Sequence, residues 1–167
     1  MTRHPMWGAC AALCWAGAAL AEPAADHSGE EAVKPYAMSN ANAGAKPMAG
    51  RATFDAFHGK EGIVRISNAA IDRSAADPRI SEIFKSHDLV RLKRTLAEQI
   101  CYLLDGPCDY SGRDMTTTHK DLGIQNADFN AVVEDLQWAM NKEGVPFRAQ
   151  NKLLAKLAPM QRSVVER

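Results

Sequence analysis

Residues 110–124 read YSGRDMTTTHKDLGI and stand directly before a strongly amphipathic stretch that opens near Asn126. The segment contains one histidine, His119. A neutral imidazole on a short helix beside an apolar slot can hold a metal through a ring nitrogen. Histidines without any ligand role are more common in proteins. His119 alone therefore leaves both interpretations open.

Apolar residues recur at helical spacing on both sides of this segment. The stripe upstream, which Asp88 can cap, contains Leu89, Leu92, Leu96, Ile100 and Leu103. Two further stripes contain Ile63, Ile66, Ala70 and Ile71, and Phe129, Val132, Val133, Leu136 and Met140. A last helix begins near Pro146, and Pro159 is expected to bend or shorten it. No alternating run or Asn-Gly hairpin competes with these patterns, so the sequence predicts an all-α fold.

The size and charge of the chain exclude several classes of function. Its 167 residues suffice for one domain and are few for two. Twenty basic and twenty acidic residues cancel, whereas a nucleic-acid-binding protein usually carries a basic excess. We therefore expect no nucleic-acid partner.

The N-terminal region is typical of an exported protein. Residues 1–21 combine Arg3 with the apolar run 7–20 and end in a small-residue cleavage site, which predicts a signal peptide. The alternative is a retained membrane anchor, for which the run is short. Residues 22–50 are rich in Ala, Pro, Gly, Ser and Asn and predict a flexible linker, leaving residues 51–167 as the domain. We expect a periplasmic protein that touches a membrane only through this signal or anchor.

The number of cysteines that would remain in the mature chain is consistent with an exported protein. Cys10 and Cys14 would leave with the signal peptide, and Cys101 and Cys108 would remain. An even pair in an oxidising compartment suggests a disulfide, although two unpaired thiols are an alternative. Zinc is not expected, because no Cys or His pair has ligand spacing.

A flat apolar cofactor between two helices would account for the exposed-looking loop at residues 105–125. Leu92, Leu96 and Ile100 could cover one face of this cofactor. The other face could be lined by His119, Met115, Leu122, Ile124 and Phe129. Two carboxylates of the cofactor could meet basic side chains at the rim, for which Arg91, Lys93, Arg94 and Arg113 are candidates. The alternative is an ordinary helical core with surface charges.

A series of short motifs runs along the chain between Phe54 and Val165. The series consists of Gly59 and Gly62, ADPR (76–79), IF (83–84), LVRLK (89–93), GP (106–107), YSGRDM (110–115), His119, LGI (122–124), DFN (128–130) and VP (145–146). In these motifs the chain resembles the group I truncated haemoglobins, which are two-over-two helical globins built around a haem. The motifs follow the family's order and spacing over about two-thirds of the chain.

The resemblance implies haem b (iron protoporphyrin IX) as the cofactor and His119 as the proximal iron ligand. It implies that Phe84 packs on the porphyrin and that Leu92 and Leu96 lie on the distal side. Met115 would approach the haem from the loop before the proximal helix. The four basic residues named above become partners of the haem propionates, with Lys93 preferred.

The sequence departs from the family on the distal side. Many members place a Tyr on the first long helix and a Gln on the next, and both donate hydrogen bonds to bound oxygen. The matching positions here are Ile71 and Leu96, or a neighbour of Ile71 if the register is off by one. Gln99 lies one turn further along. His87 could serve as a sixth ligand, but its place at a helix start argues against this.

These observations predict a monomer that reversibly binds oxygen, carbon monoxide or nitric oxide through a five-coordinate ferrous iron. The chief alternative is a haem redox enzyme, such as a nitric oxide dioxygenase or a peroxidase-like protein, which would need a separate reductase as partner. A cofactor-free helical interaction module is the second alternative. The missing distal donors weigh against dioxygenation, so the sequence favours gas binding over enzymatic activity.

Overall fold

The computed structural model describes residues 27–166, so the predicted signal peptide and residues 22–26 lie outside the described part. The α-helices in this part are α1 (Ala52–Ala56), α2 (Gly59–Ala76), α3 (Ser81–Phe84), α4 (Leu89–Leu103), α5 (Met115–His119), α6 (Asn126–Lys142), α7 (Phe147–Leu157) and α8 (Gln161–Val164). Short 3-10 helices span Asn40–Ala43 and Ala158–Met160. Residues 27–166 contain no β-strand, which confirms the all-α prediction. None of the helices in this range is both long and apolar enough to cross a membrane.

The long helix α2 lies at the centre of the packing. It contacts α4 on one side and α6 on the other, and α7 packs on α6 and α4. The largest side chains of the core are completely buried, among them Phe57, Ile63, Ile66, Ile100, Met140 and Leu153. The stripe predicted for α2 is fully confirmed, since all four of its apolar residues are buried.

Local signals start the helices that carry the functional side chains. The Asp88 carboxylate accepts a hydrogen bond from the backbone N–H of Arg91 at 3.0 Å and so caps α4, as predicted. Asp114 caps α5 in the same way through the N–H of Thr117, at 2.9 Å. These bonds satisfy backbone donors that the first turn of a helix leaves without partners. The short helix α5 thus begins at a defined residue and ends at His119.

The disulfide prediction is confirmed. Cys101 and Cys108 are bonded, with their Cα atoms 5.8 Å apart. Cys101 is buried near the end of α4, and Cys108 lies in the loop that follows. The bond therefore ties the end of α4 to the loop that leads to α5.

The region predicted as a flexible linker packs against the domain from residue 27 onward. The carboxylate of Glu30 is 5% exposed and lies between the guanidinium groups of Arg91 and Arg94 on α4. Further along, the hydroxyl of Tyr36 donates to the carbonyl of Ser111 at 2.8 Å, and Ala43 is fully buried. The packed unit therefore begins well before residue 51.

Candidate functional site

A mainly hydrocarbon cavity of about 240 Å³ lies between the α2–α4 side and the α5–α6 side of the protein. Seven of the eight predicted site residues line it, namely Phe84, Leu92, Leu96, Met115, His119, Ile124 and Phe129. These residues come from α3, α4, α5, α6 and the loop between α5 and α6. The helices thus bring together side chains that are up to 45 positions apart in the chain.

The ring of His119 is oriented by its own helix. Its Nδ1 lies 2.7 Å from the carbonyl oxygen of Met115, one turn earlier in α5. Because a carbonyl can only accept, Nδ1 carries the proton and Nε2 keeps a free lone pair. Burial lowers the pKa of His119, and this effect outweighs the hydrogen bond to Met115, which raises it. The neutral ring is therefore favoured, and it presents the nitrogen that a metal needs.

The wall formed by α2 and α4 is mainly apolar where the cavity meets it. Ile71 on α2 is 4% exposed and lines the cavity together with Leu92 and Leu96 on α4. Ile71 and Leu96 are the positions that the sequence assigns to the family's Tyr and Gln. Neither side chain can donate a hydrogen bond.

Three polar side chains that line the cavity, those of Thr95, Tyr110 and Gln99, have partners within the protein. The hydroxyls of Thr95 and Tyr110 donate to the carbonyls of Arg91 and Arg113, each at 3.0 Å. The amide of Gln99 donates to the carbonyl of Ala43 at 2.9 Å. Burial raises the pKa of Tyr110 to about 12, so its donor stays in place. These hydroxyl and amide donors are therefore directed at the backbone.

Lys93, the eighth predicted site residue, does not line the cavity. Its ammonium pairs with the carboxylate of Asp72 on α2 at 2.5 Å. The other basic candidates also have protein partners. Arg91 and Arg94 bind Glu30, and Arg113 donates to the carbonyl of Lys34 and stacks on the ring of Tyr36. The assignment of Lys93 to a propionate remains a prediction.

Several lining residues were not predicted from the sequence. Ile83 lies directly before Phe84 in the chain, and this position alone could have predicted that it lines the cavity. Val164 on α8 reaches the cavity because the chain turns at the 3-10 helix Ala158–Met160, and no local pattern indicates this return. His87 lines the cavity too, although its position at the start of α4 argued against such a role.

The family model described as bacterial-like globin matches residues 52–166. This chain belongs to the bacterial-like globin family. The match covers all the α-helices from α1 to α8, but it leaves out the packed residues 27–51.

Relatives and solved structures point to the truncated globins. The globin is 34% identical over 70 residues to the group 1 truncated hemoglobin of Tetrahymena pyriformis, a match that covers 42% of this chain and 58% of that protein. It is 25% identical over 114 residues to the group 1 truncated hemoglobin GlbN of Nostoc commune, covering 68% of this chain and 97% of the relative. The structure of the Tetrahymena pyriformis protein in its Fe(III) form matches with a TM-score of 0.66 at 23% identity, covering 69% of this chain and 98% of that one. The predicted two-over-two globin fold is confirmed.

Membership of this family implies a haem, and the residues of the cavity fit one. A porphyrin needs a flat apolar space and an axial ligand. The cavity offers hydrocarbon side chains and the aromatic rings of Phe84, Phe129 and Tyr110. His119 presents a neutral nitrogen whose opposite N–H is held by a carbonyl.

Proposed function

We propose that this globin holds haem b through Nε2 of His119 and reversibly binds a diatomic gas at a five-coordinate ferrous iron. The bound haem would supply a ferrous iron with one open coordination position. The observation that carries the proposal is the hydrogen bond from Nδ1 of His119 to the carbonyl of Met115, which leaves the opposite nitrogen free beside the apolar cavity.

The chain's own residues would hold the haem, orient the His119 ring and exclude water from the cavity. The Met115 carbonyl keeps the His119 ring in one tautomer and one orientation. Phe84 and Phe129 offer aromatic surfaces for a porphyrin, and Leu92 and Ile124 would exclude water from it. Water exclusion matters because a dry, shaped cavity protects reactive ligands from side reactions.

The apolar α2–α4 wall favours carbon monoxide or nitric oxide over tightly held oxygen. Bound oxygen carries partial negative charge and gains from a hydrogen-bond donor, and Ile71, Leu92 and Leu96 cannot donate. Dioxygenation of nitric oxide needs oxygen that is held firmly, so the same wall weighs against the enzymatic alternative. Reversible gas binding is therefore preferred to a redox activity that depends on a reductase.

Lys93 is our candidate partner for a haem propionate. Lys93 follows Leu92 in α4, and its ammonium would exchange the carboxylate of Asp72 for that of the propionate. Asp72 is 63% exposed at its side chain, so water can solvate it after the exchange. Arg91 and Arg94 are less available, because Glu30 is buried against them.

We also propose that the protein is an exported, periplasmic monomer. Support comes from the signal-like residues 1–21 and from the disulfide between Cys101 and Cys108, a bond that oxidising compartments preserve. Cell fractionation and N-terminal sequencing of the isolated protein should find a periplasmic chain that begins at Glu22.

The haem proposal is tested by removing the ligand. Wild-type protein purified with added haemin should show a Soret band that shifts when carbon monoxide is added to the ferrous form. His119→Ala should retain the helical circular dichroism spectrum but lose most of the pigment on gel filtration. His58→Asn is the matched control, because His58 is an exposed histidine with positive φ that Asn tolerates. Unchanged pigment and spectrum in His119→Ala would refute the proposal.

A further inference from the structure

Residues 36–44, which precede the part of the chain that matches the family model, pack along the loop that leads to α5. Asn40 makes the most specific of these contacts, because both ends of its amide are used. Its Nδ2 donates to the carboxylate of Asp109 at 2.7 Å, and its Oδ1 accepts from the backbone N–H of Tyr110 at 2.7 Å. A carboxylate in place of the amide would keep the acceptor and remove the donor.

The rest of the loop contacts the same segment. The hydroxyl of Tyr36 donates to the carbonyl of Ser111 at 2.8 Å, and Nδ2 of Asn42 donates to the carbonyl of Gly112 at 3.2 Å. The guanidinium of Arg113 stacks on the ring of Tyr36, 4.8 Å from its centroid. Five consecutive loop residues, ending one position before the cap of α5, therefore contact this segment.

A second contact reaches Met115, the first residue of α5. Gly44 has a φ of 83°, and a Cβ at this position would lie 3.1 Å from the Cγ of Met115 and 3.0 Å from the Sδ of Met160. The carbonyl of Ala43, which is fully buried, accepts from Nε2 of Gln99 at 2.9 Å. The same Nε2 lies 3.4 Å from the Sδ of Met115. The segment thus packs against the residue whose carbonyl orients the ring of the proposed iron ligand.

Helix α5 depends on contacts of this kind because it cannot hold its own position. It has five residues, Met115–His119, and is far shorter than an isolated helix must be to persist in water. None of these residues is buried in the core. The cap of α5, Asp114, belongs to the loop that the N-terminal segment holds. The direction of α5, and of the imidazole at its end, therefore follows from this loop and from the contact with the short helix α8.

We propose that residues 36–44 form a brace that positions the iron ligand, since they fix the loop before α5 and its first residue and thereby set the direction of the His119 ring. Asn40 and Gly44 are positioning residues, because neither lines the cavity. The inference rests on the proposed function, since it requires a haem held by His119. A bond to iron needs the ring nitrogen in a fixed orientation, so loosening the brace weakens this bond and speeds the loss of haem.

A charge swap tests the contact made by Asn40. Asn40→Asp removes the donor and places two carboxylates against each other, so it should loosen the loop. The double variant Asn40→Asp/Asp109→Asn moves the amide to the other side of the same hydrogen bond and should restore it, while the N–H of Tyr110 keeps an acceptor. Asn151→Asp is the matched control, because it makes the same chemical change on an exposed residue of α7.

A second pair of variants tests the contact with Met115. Gly44→Ala pushes a methyl group against this side chain, at a φ that alanine tolerates poorly. Gly50→Ala imposes a similar backbone cost, since its φ is 81°, but a Cβ there would meet nothing within 4 Å. Only Gly44→Ala should therefore disturb the iron ligand. The glycine and asparagine variants reach α5 by different routes, so a folding defect in one does not decide the result.

Two measurements on the haem-loaded proteins report the outcome, after circular dichroism has shown that each variant is folded. Resonance Raman spectroscopy of the ferrous, gas-free protein gives the iron–histidine stretching band. This band should shift to lower frequency in Asn40→Asp and Gly44→Ala, and return to the wild-type position in the double variant. Transfer of haem to excess apomyoglobin should be about tenfold faster in Asn40→Asp, as expected for the loss of about one or two hydrogen bonds. The two controls should match the wild type in both measurements.

The remaining outcomes separate the brace from the haem itself. Faster haem transfer with an unchanged stretching band would mean that the segment only stabilises the fold, and this overturns the inference. An unchanged band in both single variants overturns it as well, as does a double variant that behaves like Asn40→Asp. All three results leave the haem proposal intact, because the wild type still shows the band. A wild-type protein that takes up no haem, or whose haem gives no iron–histidine band, refutes the proposed function instead.

Discussion

Replacing Ile71 with tyrosine should slow the release of oxygen from this globin. Ile71 is 4% exposed and reaches the cavity from α2, beside Leu92 and Leu96 of α4, and none of these three side chains can donate a hydrogen bond. The larger tyrosine ring can extend into the cavity of about 240 Å³ rather than into the packed core. Its hydroxyl would then be the first donor directed at a gas from the α2–α4 wall.

The size of the effect follows from the strength of one hydrogen bond. A bond to a partly charged acceptor in a site that excludes water contributes about 1.5–3 kcal/mol. If the whole of this contribution appears in the dissociation step, Ile71→Tyr should release oxygen about one to two powers of ten more slowly than wild type. The association rate should change less, because most such differences between variants lie in dissociation.

The assay is stopped-flow displacement of oxygen by excess carbon monoxide from the ferrous protein. Ile71→Phe is the matched control, since it adds the ring without the hydroxyl. Equal release rates for the Tyr and Phe variants would refute the reasoning, because ring size would then explain any change. A wild-type protein that already releases oxygen as slowly as Ile71→Tyr would refute the claim that its distal wall lacks a donor.

Two further predictions concern stability. Hydrogen bonds from Arg94, and then from Arg91, lower the pKa of Glu30 from 4.5 to about 2. The charged Glu30 therefore stabilises the folded protein above pH 4.5, and this contribution is lost as the pH falls toward 2. Glu30→Gln should therefore lower the free energy of unfolding in urea by about 1.5–3 kcal/mol at pH 7, and a deficit that persists unchanged at pH 2 would contradict this. Cys108→Ser should cost about 2–3 kcal/mol, seen as a lower Tm. A reducing agent should lower the wild-type Tm equally and leave the variant unchanged; a wild type that is insensitive to reductant would contradict the prediction.

The helices could be predicted because their signals are local. The spacing of Ile63, Ile66 and Ala70 and the capping carboxylate of Asp88 lie within a few turns of the helices they define. The same periodicity could not say what each apolar face contacts. Leu96 and Phe129 belong to predicted buried stripes, yet both are partly exposed because they face the cavity rather than another helix.

The packing of residues 27–50 could not be predicted, because the contacts that hold them join distant parts of the chain. Glu30 and Arg94 are 64 positions apart, and a low-complexity polar segment gives no periodic signal. The same contacts explain why Arg91 and Arg94, which the sequence offered as candidates for the propionates, bind Glu30 instead. A sequence shows that a helix carries an arginine, but not which carboxylate forms an ion pair with it.

The site itself was predictable mainly through its histidine and the resemblance. Seven of the eight predicted residues meet in one cavity, and Lys93 is directed to Asp72 instead. His87 shows the limit of reasoning from position alone, since its side-chain direction depends on the turn between α3 and α4.

The hydrogen-bond acceptor of His119 Nδ1 also affects how much electron density the ring can donate to a metal. Met115 contributes an uncharged backbone oxygen, whereas a carboxylate in that place would draw the Nδ1 proton and leave the ring more anionic. A less anionic ring pushes less electron density onto a metal. A haem held by such a ring would be less able to split an O–O bond and easier to keep ferrous, as the proposed reversible binding of a gas would require.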